Sequence, residues 1–162
     1  MSAEHIEKKV LLRAPRERVW QAISDSRQFG TWFGMAFEGP FVPGTRTAGR
    51  IVPTSVDPQV AKLQKPYEGT RFELAVVELE PMRTFSFRWQ PFGVDPDADF
   101  SPRWSTLVVF ELADAPGGTL LTLTESGFAQ LEPRLRSDAF TSHEGGWTHQ
   151  MRLIEKYLAL NP

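Results

Sequence analysis

Alternating apolar and polar residues predict a sheet in the middle of the chain. In the segment 83–90, Phe85, Phe87 and Trp89 alternate with polar residues, which is the pattern of a strand with one buried face. Glycine-rich turns at 39–53 predict the entry to a further hairpin. Similar strand patterns occupy the segments 6–13, 71–80, 103–112 and 119–126. We therefore expect a run of about five antiparallel strands after the first one.

Helical periodicity predicts two short helices after the first strand and one long helix at the C-terminus. The first short helix covers residues 14–24, and the second carries Phe29, Trp32 and Phe33. From about Ser137 onward the pattern is helical. The apolar stripe of this last helix consists of Trp147, Met151, Ile154 and Leu158. Such a helix is not stable alone, so we predict an α+β fold in which a curved antiparallel sheet wraps around it.

Composition and charge narrow the class of protein. The chain has 162 residues, 41% of them hydrophobic, and we predict a single domain over 1–162 with one core. The absence of cysteine excludes disulfides and fits a reducing compartment. The net charge of −2, without a basic block, argues against nucleic acid as a partner. With no signal peptide and no apolar run near the roughly 20 residues of a membrane helix, we expect a cytoplasmic protein without membrane contact.

The segment SHEGGWTH, residues 142–149, begins like the helix of a zinc protease. That motif places two histidines one helical turn apart, but the second position here is Trp147, which does not bind zinc. His143 and His149 are six residues apart, so they point about 120° apart on a helix. We therefore predict no metal site, an exposed His143 whose loss leaves stability nearly unchanged, and a buried Trp147 near the aromatic strands. The two intervening glycines are predicted to allow close approach to the sheet or a bend.

Other motifs argue against a bound cofactor. The sequence has no Gly-rich phosphate loop, no GxSxG nucleophile and no flavin, iron–sulfur or nicotinamide motif. The acidic run at 95–99 lacks the glycine and the glutamate that a calcium loop needs at its sixth and twelfth positions. We therefore predict no cofactor and no catalytic residue, although serines and histidines of unknown placement leave hydrolysis open.

Several segments taken together resemble one protein family. They are VLLRAPRERVWQAISD at 10–25, EPMRTFSFRW at 80–89, STLVVFEL at 105–112, GGTLLTLTESGF at 117–128 and HEGGWTHQMRLIEKYL at 143–158. The order of elements resembles the helix-grip fold of the START and pollen-allergen superfamily, also called SRPBCC. Within it, these segments resemble the branch related to the activator of the heat-shock protein 90 ATPase.

The resemblance implies a hydrophobic cavity between the sheet and the C-terminal helix. It also implies that the first strand pairs with the last, and pairing Val10 with Leu123 would place Lys8 opposite Glu125 on the inward face. Such a pair would orient the polar group of a ligand at one end of the cavity. The predicted ligand contacts are Lys8, Trp32, Phe33, Phe87, Trp89, Trp104, Phe110, Glu125, Trp147 and Met151.

Three classes of function fit these features. The first is a module, monomeric or homodimeric, that binds a small lipophilic or aromatic ligand in the cavity. The second, by resemblance to the C-terminal domain of the activator, is a chaperone-interacting protein. The third is an enzyme of the cyclase or hydrolase type, with turnover that depends on Glu125 or His149. The apolar inward faces favour the binding module. Two long connections, 53–70 with one helical turn at 58–64 and 91–103, are expected near the cavity mouth.

Overall fold

The structure, a computed structural model, describes residues 5–162. Residues 1–4 of the predicted domain 1–162 lie outside the described residues. The strands are β1 (His5–Leu12), β2 (Met35–Phe37), β3 (Arg46–Ile51), β4 (Arg71–Glu80), β5 (Thr84–Trp89), β6 (Thr106–Ala115) and β7 (Gly118–Ser126). The α-helices are α1 (Arg16–Ser24), α2 (Ser26–Phe33), α3 (Pro58–Gln64) and α4 (Pro133–Leu160). The strands form one antiparallel sheet of order β1-β7-β6-β5-β4-β3-β2.

The fold is the predicted α+β helix-grip. Two short helices follow the first strand, and the sheet curves around α4, whose buried residues include Trp147, Ile154 and Leu158. The predicted alternation is confirmed in β7, where every second residue is buried. A shift of register between Val76 and Glu78 marks a β-bulge in β4, a feature that bends a strand and increases its twist.

The long helix differs from its prediction in where it begins. It starts at Pro133 rather than near Ser137, and it runs without interruption for 28 residues. A proline suits the first helical turn because its missing N–H would have no partner there. The apolar stripe that predicted the helix begins later than the helix itself, so the prediction omitted its first turn. Although α4 is long, no helix within residues 5–162 is also apolar enough to cross a bilayer.

Within the connection 53–70, the helical turn predicted at 58–64 is present as α3, which with seven residues is longer than one turn. The Asp57 carboxylate caps this helix by accepting from the backbone N–H groups of Gln59 and Val60, at 2.8 and 3.2 Å. Pro58 occupies the first helical position. The Asp-Pro start signal is present in the sequence, but the segment has only seven helical residues and weak periodicity.

One part of the core, between α2 and the middle of the sheet, is filled by aromatic side chains. The ring of Phe29 has its centroid between 4.9 and 6.0 Å from those of six other aromatic rings. Many of these pairs are edge-on or stacked, which are the favoured arrangements of aromatic rings. We call this region the filled end of the core; its members are Phe29, Phe41, Phe85, Phe87 and Phe110.

Candidate functional site

A cavity of about 440 Å³ lies beside the filled end, between α4 and the sheet. Its walls come from the end of α2, from β3, α3 and β4, from the end of β5 and from the middle of α4. The sheet side is apolar and includes Ile51, Phe72 and Trp89. We call this region the hollow end of the core.

The helix α4 supplies one wall of the hollow end. Its lining residues recur at spacings of three and four, which place them on one face of a helix. These residues are Ser142, His143, Gly146, Trp147, His149 and Gln150. The segment SHEGGWTH, which stood out in the sequence, therefore forms most of the helical wall.

The mouth of the cavity is apolar and exposed. Leu63, Tyr67 and Phe92 line it, and they are 56%, 62% and 50% exposed. As predicted, the connections 53–70 and 91–103 both contribute to this region. Large apolar side chains at a concave opening are typical of a site that receives an apolar molecule.

A buried carboxylate lies directly behind the cavity wall. Glu125 is 0% exposed, and its two oxygens accept hydrogen bonds from side chains on neighbouring elements. Trp89 Nε1 donates at 2.9 Å, Thr106 Oγ1 at 2.6 Å and Trp147 Nε1 at 2.7 Å. The carboxylate thus ties the indoles of β5 and α4 to β7.

The fourth partner of this carboxylate is His143. Its Nδ1 lies 2.8 Å from both oxygens of Glu125, and its Nε2 lies 2.8 Å from the carbonyl oxygen of Pro91. Both ring nitrogens therefore face acceptors, and only the imidazolium form can donate from both at once. The arrangement is a buried ion pair in which the histidine also joins α4 to the connection after β5.

The two pKa values move in the directions that this pairing requires. Burial acts to lower the pKa of His143, but the charge and hydrogen bonds of Glu125, with the Pro91 carbonyl, raise it above its ordinary value. Burial acts to raise the pKa of Glu125, but His143, Thr106 and Trp89 together lower it below its ordinary value. Both shifts favour the charged form of the group, so each is the counter-ion of the other.

The predicted pair between Lys8 and Glu125 is wrong. Val10 pairs with Leu121 rather than Leu123, so Lys8 lies beside Leu123. A shift of two residues along a strand keeps each side chain on the same face but changes its neighbour. Lys8 does face α4, where its Nζ forms a salt bridge of 2.8 Å with Glu144.

The prediction that His143 is exposed is also wrong. Its side chain is 9% exposed and carries the ion pair described above. The sequence contained a signal for the burial of His143: it lies four residues before Trp147, and residues four apart share a helix face. Trp147 was predicted to be buried, and it is 2% exposed, with ring centroids 5.9 Å from Trp89 and 5.8 Å from Phe110. The same face carries His143 inward.

The structure brings together only part of the predicted ligand contacts. Phe33, Trp89 and Trp147 line the cavity, and Glu125 supports the two indoles from behind. Four other predicted contacts are buried but do not line the cavity: Trp32, Phe87, Phe110 and Met151. Among these, Trp32 donates its Nε1–H to the carbonyl of Ala22 at 2.9 Å and so fastens α2 to α1.

Trp104 does not lie in a strand, although a strand was predicted over 103–112. β6 begins only at Thr106, so the apolar alternation does not extend to residue 104. The indole is instead partly exposed, with the guanidinium groups of Arg103 and Arg134 at 5.2 and 5.7 Å from the ring centroid. Trp104 is outside the cavity lining, and cation–π contacts account for its position.

Two glutamine side chains form a polar corner of the cavity. The carbonyl oxygen of Phe33 accepts from Nε2 of Gln64 and from Nε2 of Gln150, both at 3.0 Å. Oε1 of Gln64 accepts from the backbone N–H of Thr54 at 2.7 Å. Oε1 of Gln150 is buried and has no hydrogen-bond partner among the described residues, a state that costs free energy in a folded protein.

No group of three or more His, Asp or Glu side chains within residues 5–162 has the arrangement needed to hold a metal ion.

A protein-family model matches residues 13–159 of the chain, and the family is described as activator of Hsp90 ATPase homolog 1-like protein. The protein belongs to this family. No curated protein matches the chain.

Solved structures share the fold of this Hsp90-activator-homolog family member. A protein of Mesorhizobium loti is 22% identical with a TM-score of 0.71, and 98% of each chain is covered. The Aha1 dimer of Colwellia psychrerythraea is 14% identical with a TM-score of 0.66, covering 93% of this chain and 92% of that one. DynU16, from the dynemicin biosynthetic locus, is 23% identical with a TM-score of 0.67, covering 96% of this chain but 47% of that one.

Proposed function

We propose that the protein binds a small, predominantly apolar ligand in the cavity between the sheet and α4. The observation that carries this proposal is the cavity of about 440 Å³ with an apolar wall and an exposed apolar mouth. Small-molecule sites in proteins have volumes of roughly 300–1,000 Å³ and are lined by apolar and aromatic side chains with a few polar groups. The cavity meets each of these conditions.

The hydrogen bonds of Glu125 support the proposal because they hold the cavity open. Inward rotation of Trp89 or Trp147 would fill the space, but it would also remove a hydrogen bond from a buried carboxylate. Leaving such a group partly unpaired costs more than an ordinary hydrogen bond contributes. The site is therefore organised before a ligand arrives, which reduces the entropic cost of binding.

The arrangement favours binding over catalysis. Glu125 has no exposed surface, and its oxygens are occupied by two indoles, a hydroxyl and an imidazolium. The Nε2–H of His143 is occupied by the Pro91 carbonyl. We assign the Glu125–His143 pair the role of positioning the wall, rather than the proton transfer that an enzyme of the cyclase or hydrolase type would need.

A fluorescent-probe titration tests the proposal. Phenylnaphthylamine, a neutral aromatic probe, should bind the wild-type protein and increase its emission. Phe92→Ala at the mouth and Phe72→Ala on the sheet wall should each weaken binding several-fold, on the order of the 1–2 kcal/mol of a lost apolar contact. The matched control is Trp104→Ala, because Trp104 is an aromatic residue outside the cavity. The proposal fails if the wild type binds no probe, or if Trp104→Ala weakens binding as much as the cavity variants.

Family membership favours a second candidate, interaction with a chaperone of the Hsp90 class. An ATPase assay of an Hsp90-class chaperone, with and without this protein, tests it directly. Stimulation that saturates with increasing protein concentration supports the candidate, and no change at micromolar concentrations removes it. Phe92→Ala should leave such stimulation unchanged if the cavity and the chaperone surface are separate.

A further inference from the structure

The pair Gly145-Gly146 in the middle of α4 has no evident structural purpose. Glycine is often required where a neighbouring atom leaves no room for a side chain. Here, however, a Cβ added to either glycine meets no atom within 4 Å. Neither residue has the positive φ that favours glycine. Interior helical glycines destabilise a helix relative to alanine. The predicted close approach of the sheet at this pair is therefore wrong.

The two glycines differ in what they face. Both glycines are exposed, but Gly146 lines the cavity and Gly145 does not. On the cavity wall, Gly146 lies between His143 and Gln150, one helical turn from each. A side chain at position 146 would begin on this wall and extend into the open space, whereas one at 145 would extend away from it.

We infer that Gly146 determines which ligands fit, by leaving a strip of helix backbone bare for a flat aromatic ring system to pack against. The inference rests on the proposed function and specifies the ligand class. Glycine is the residue that lets a ligand approach the backbone closely. A flat ring has a rigid face that can lie on such a strip, and its other surfaces meet the rings of Phe33, Phe72 and Trp89. Aromatic pairs contribute beyond the area that they bury.

A flexible aliphatic chain would not need the bare backbone. Such a chain adapts to the side chains around it. If a side chain at position 146 made the cavity a few ångströms shallower, an aliphatic chain would take another path and would still bind. The distinction therefore predicts that a side chain at position 146 affects rigid planar ligands more than flexible ones.

Matched substitutions at 145 and 146 test the inference. Gly145→Ala and Gly146→Ala should both raise the melting temperature, because each removes a glycine from a helix without a clash. Gly146→Leu should weaken binding of phenylnaphthylamine, whose naphthalene unit is flat and rigid, at least about tenfold by occupying the cavity, whereas Gly145→Leu should change it less than about twofold. Dodecanol, a flexible aliphatic competitor, should displace the probe weakly from the wild type and lose less affinity in Gly146→Leu.

The outcomes separate this inference from the proposed function. A wild-type protein that binds neither the probe nor dodecanol contradicts both. Probe binding that is normal in the wild type and equally normal in folded Gly146→Leu contradicts the role of Gly146 alone, as does equal weakening by Gly145→Leu. Tighter binding of dodecanol than of phenylnaphthylamine contradicts the planar ligand class while leaving the cavity as the binding site.

Discussion

The filled and hollow ends of the core both contain buried aromatic rings, yet only the hollow end borders the cavity. At the filled end, Phe29, Phe85 and Phe110 are 0% exposed and lie against one another. At the hollow end, Trp89 and Trp147 are also buried, with ring centroids 5.9 Å apart, but they border the cavity. The difference lies in what sets the orientation of the rings.

Phenylalanine rings carry no polar atom, so at the filled end only contact with other side chains orients them, and they close the available space. The two indoles of the hollow end donate to Glu125, and this carboxylate also holds His143. Their orientation is set by hydrogen bonds to a buried charge. A polar anchor behind an aromatic wall can therefore preserve a cavity that packing alone would close.

Removal of the anchor should have the largest effect. In Glu125→Ala, two indoles, the Thr106 hydroxyl and the His143 cation lose their acceptor, so the free energy of unfolding should fall by about 3–5 kcal/mol. Phenylnaphthylamine binding should also fall, because the wall loses its fixed orientation. Urea unfolding and probe titration measure the two effects. Glu111→Ala on the exposed side of β6 is the control and should change stability by less than about 0.5 kcal/mol. A cost below about 1 kcal/mol for Glu125→Ala would contradict the anchoring role.

Truncation of one phenylalanine at each end tests the contrast in packing. Phe85→Ala, at the filled end, should cost about 3–4 kcal/mol, within the range for a buried phenylalanine. Phe72→Ala should cost only about 2 kcal/mol, because the Phe72 ring already borders empty space and makes fewer contacts. Chemical denaturation of both variants measures the difference. Equal costs would mean that the hollow end is packed as tightly as the filled end.

The ion pair of the hollow end should give stability a characteristic pH dependence. Despite its burial, His143 has a pKa held by Glu125 above the ordinary 6.5. Its contribution is therefore complete below about pH 6.5 and is lost as the pH rises through the raised pKa. Glu125 behaves oppositely: despite its burial its pKa is below the ordinary 4.5, so its contribution is complete above about pH 4.5 and is lost as the pH falls through the lowered pKa.

We therefore expect the contribution of this pair to the free energy of unfolding to be greatest between about pH 4.5 and 6.5. Urea titrations across pH measure it. His143→Gln keeps a donor for Glu125 but does not titrate, so it should flatten the alkaline decline. His149→Gln, six residues further along the same helix, is the control and should keep the decline. An alkaline decline that is unchanged in His143→Gln would contradict the assignment to His143.

The smallest effect is expected for the second ion pair between the sheet and α4. The side chains of Lys8 and Glu144 are 22% and 47% exposed, so solvent screens their interaction. Lys8→Ala should lower the free energy of unfolding by about 0.2–1 kcal/mol, as exposed pairs do, and should leave probe binding unchanged. A double-mutant cycle with Glu144→Ala isolates the pair, and a coupling above about 2 kcal/mol would mean that it is not screened.

Most elements of the fold could be predicted from the sequence because they depend on local periodicity. The alternation of Phe85, Phe87 and Trp89 predicted β5, and the stripe from Trp147 to Leu158 predicted α4. Segments without a strong period were predicted less well. At 58–64 only one helical turn was predicted, whereas α3 has seven residues, and the start of α4 at Pro133 precedes its apolar stripe.

The candidate site was predicted only in part, since it depends on which residues become neighbours. The alternation of side chains along a strand correctly placed Lys8 and Glu125 on the inward face. The strands pair in a register that differs by two residues from the predicted one, so Lys8 pairs with Glu144 and Glu125 with His143. The alternation of side chains is a local property of one strand, whereas the register depends on how two whole strands pair. His143 was placed at the surface because its partner, Glu125, is distant in the sequence and close only in space.

The sequence by itself therefore determined most of the elements, the faces of the strands, the α+β helix-grip class and the family. These follow from side-chain periodicity and from local motifs, which act over a few residues. Only the tertiary structure decided that His143 and Glu125 form a buried pair, that Trp104 lies outside, and that Gly146 faces empty space. A cavity is the volume that packed elements leave unfilled, so its position depends on the register and orientation of all of them at once.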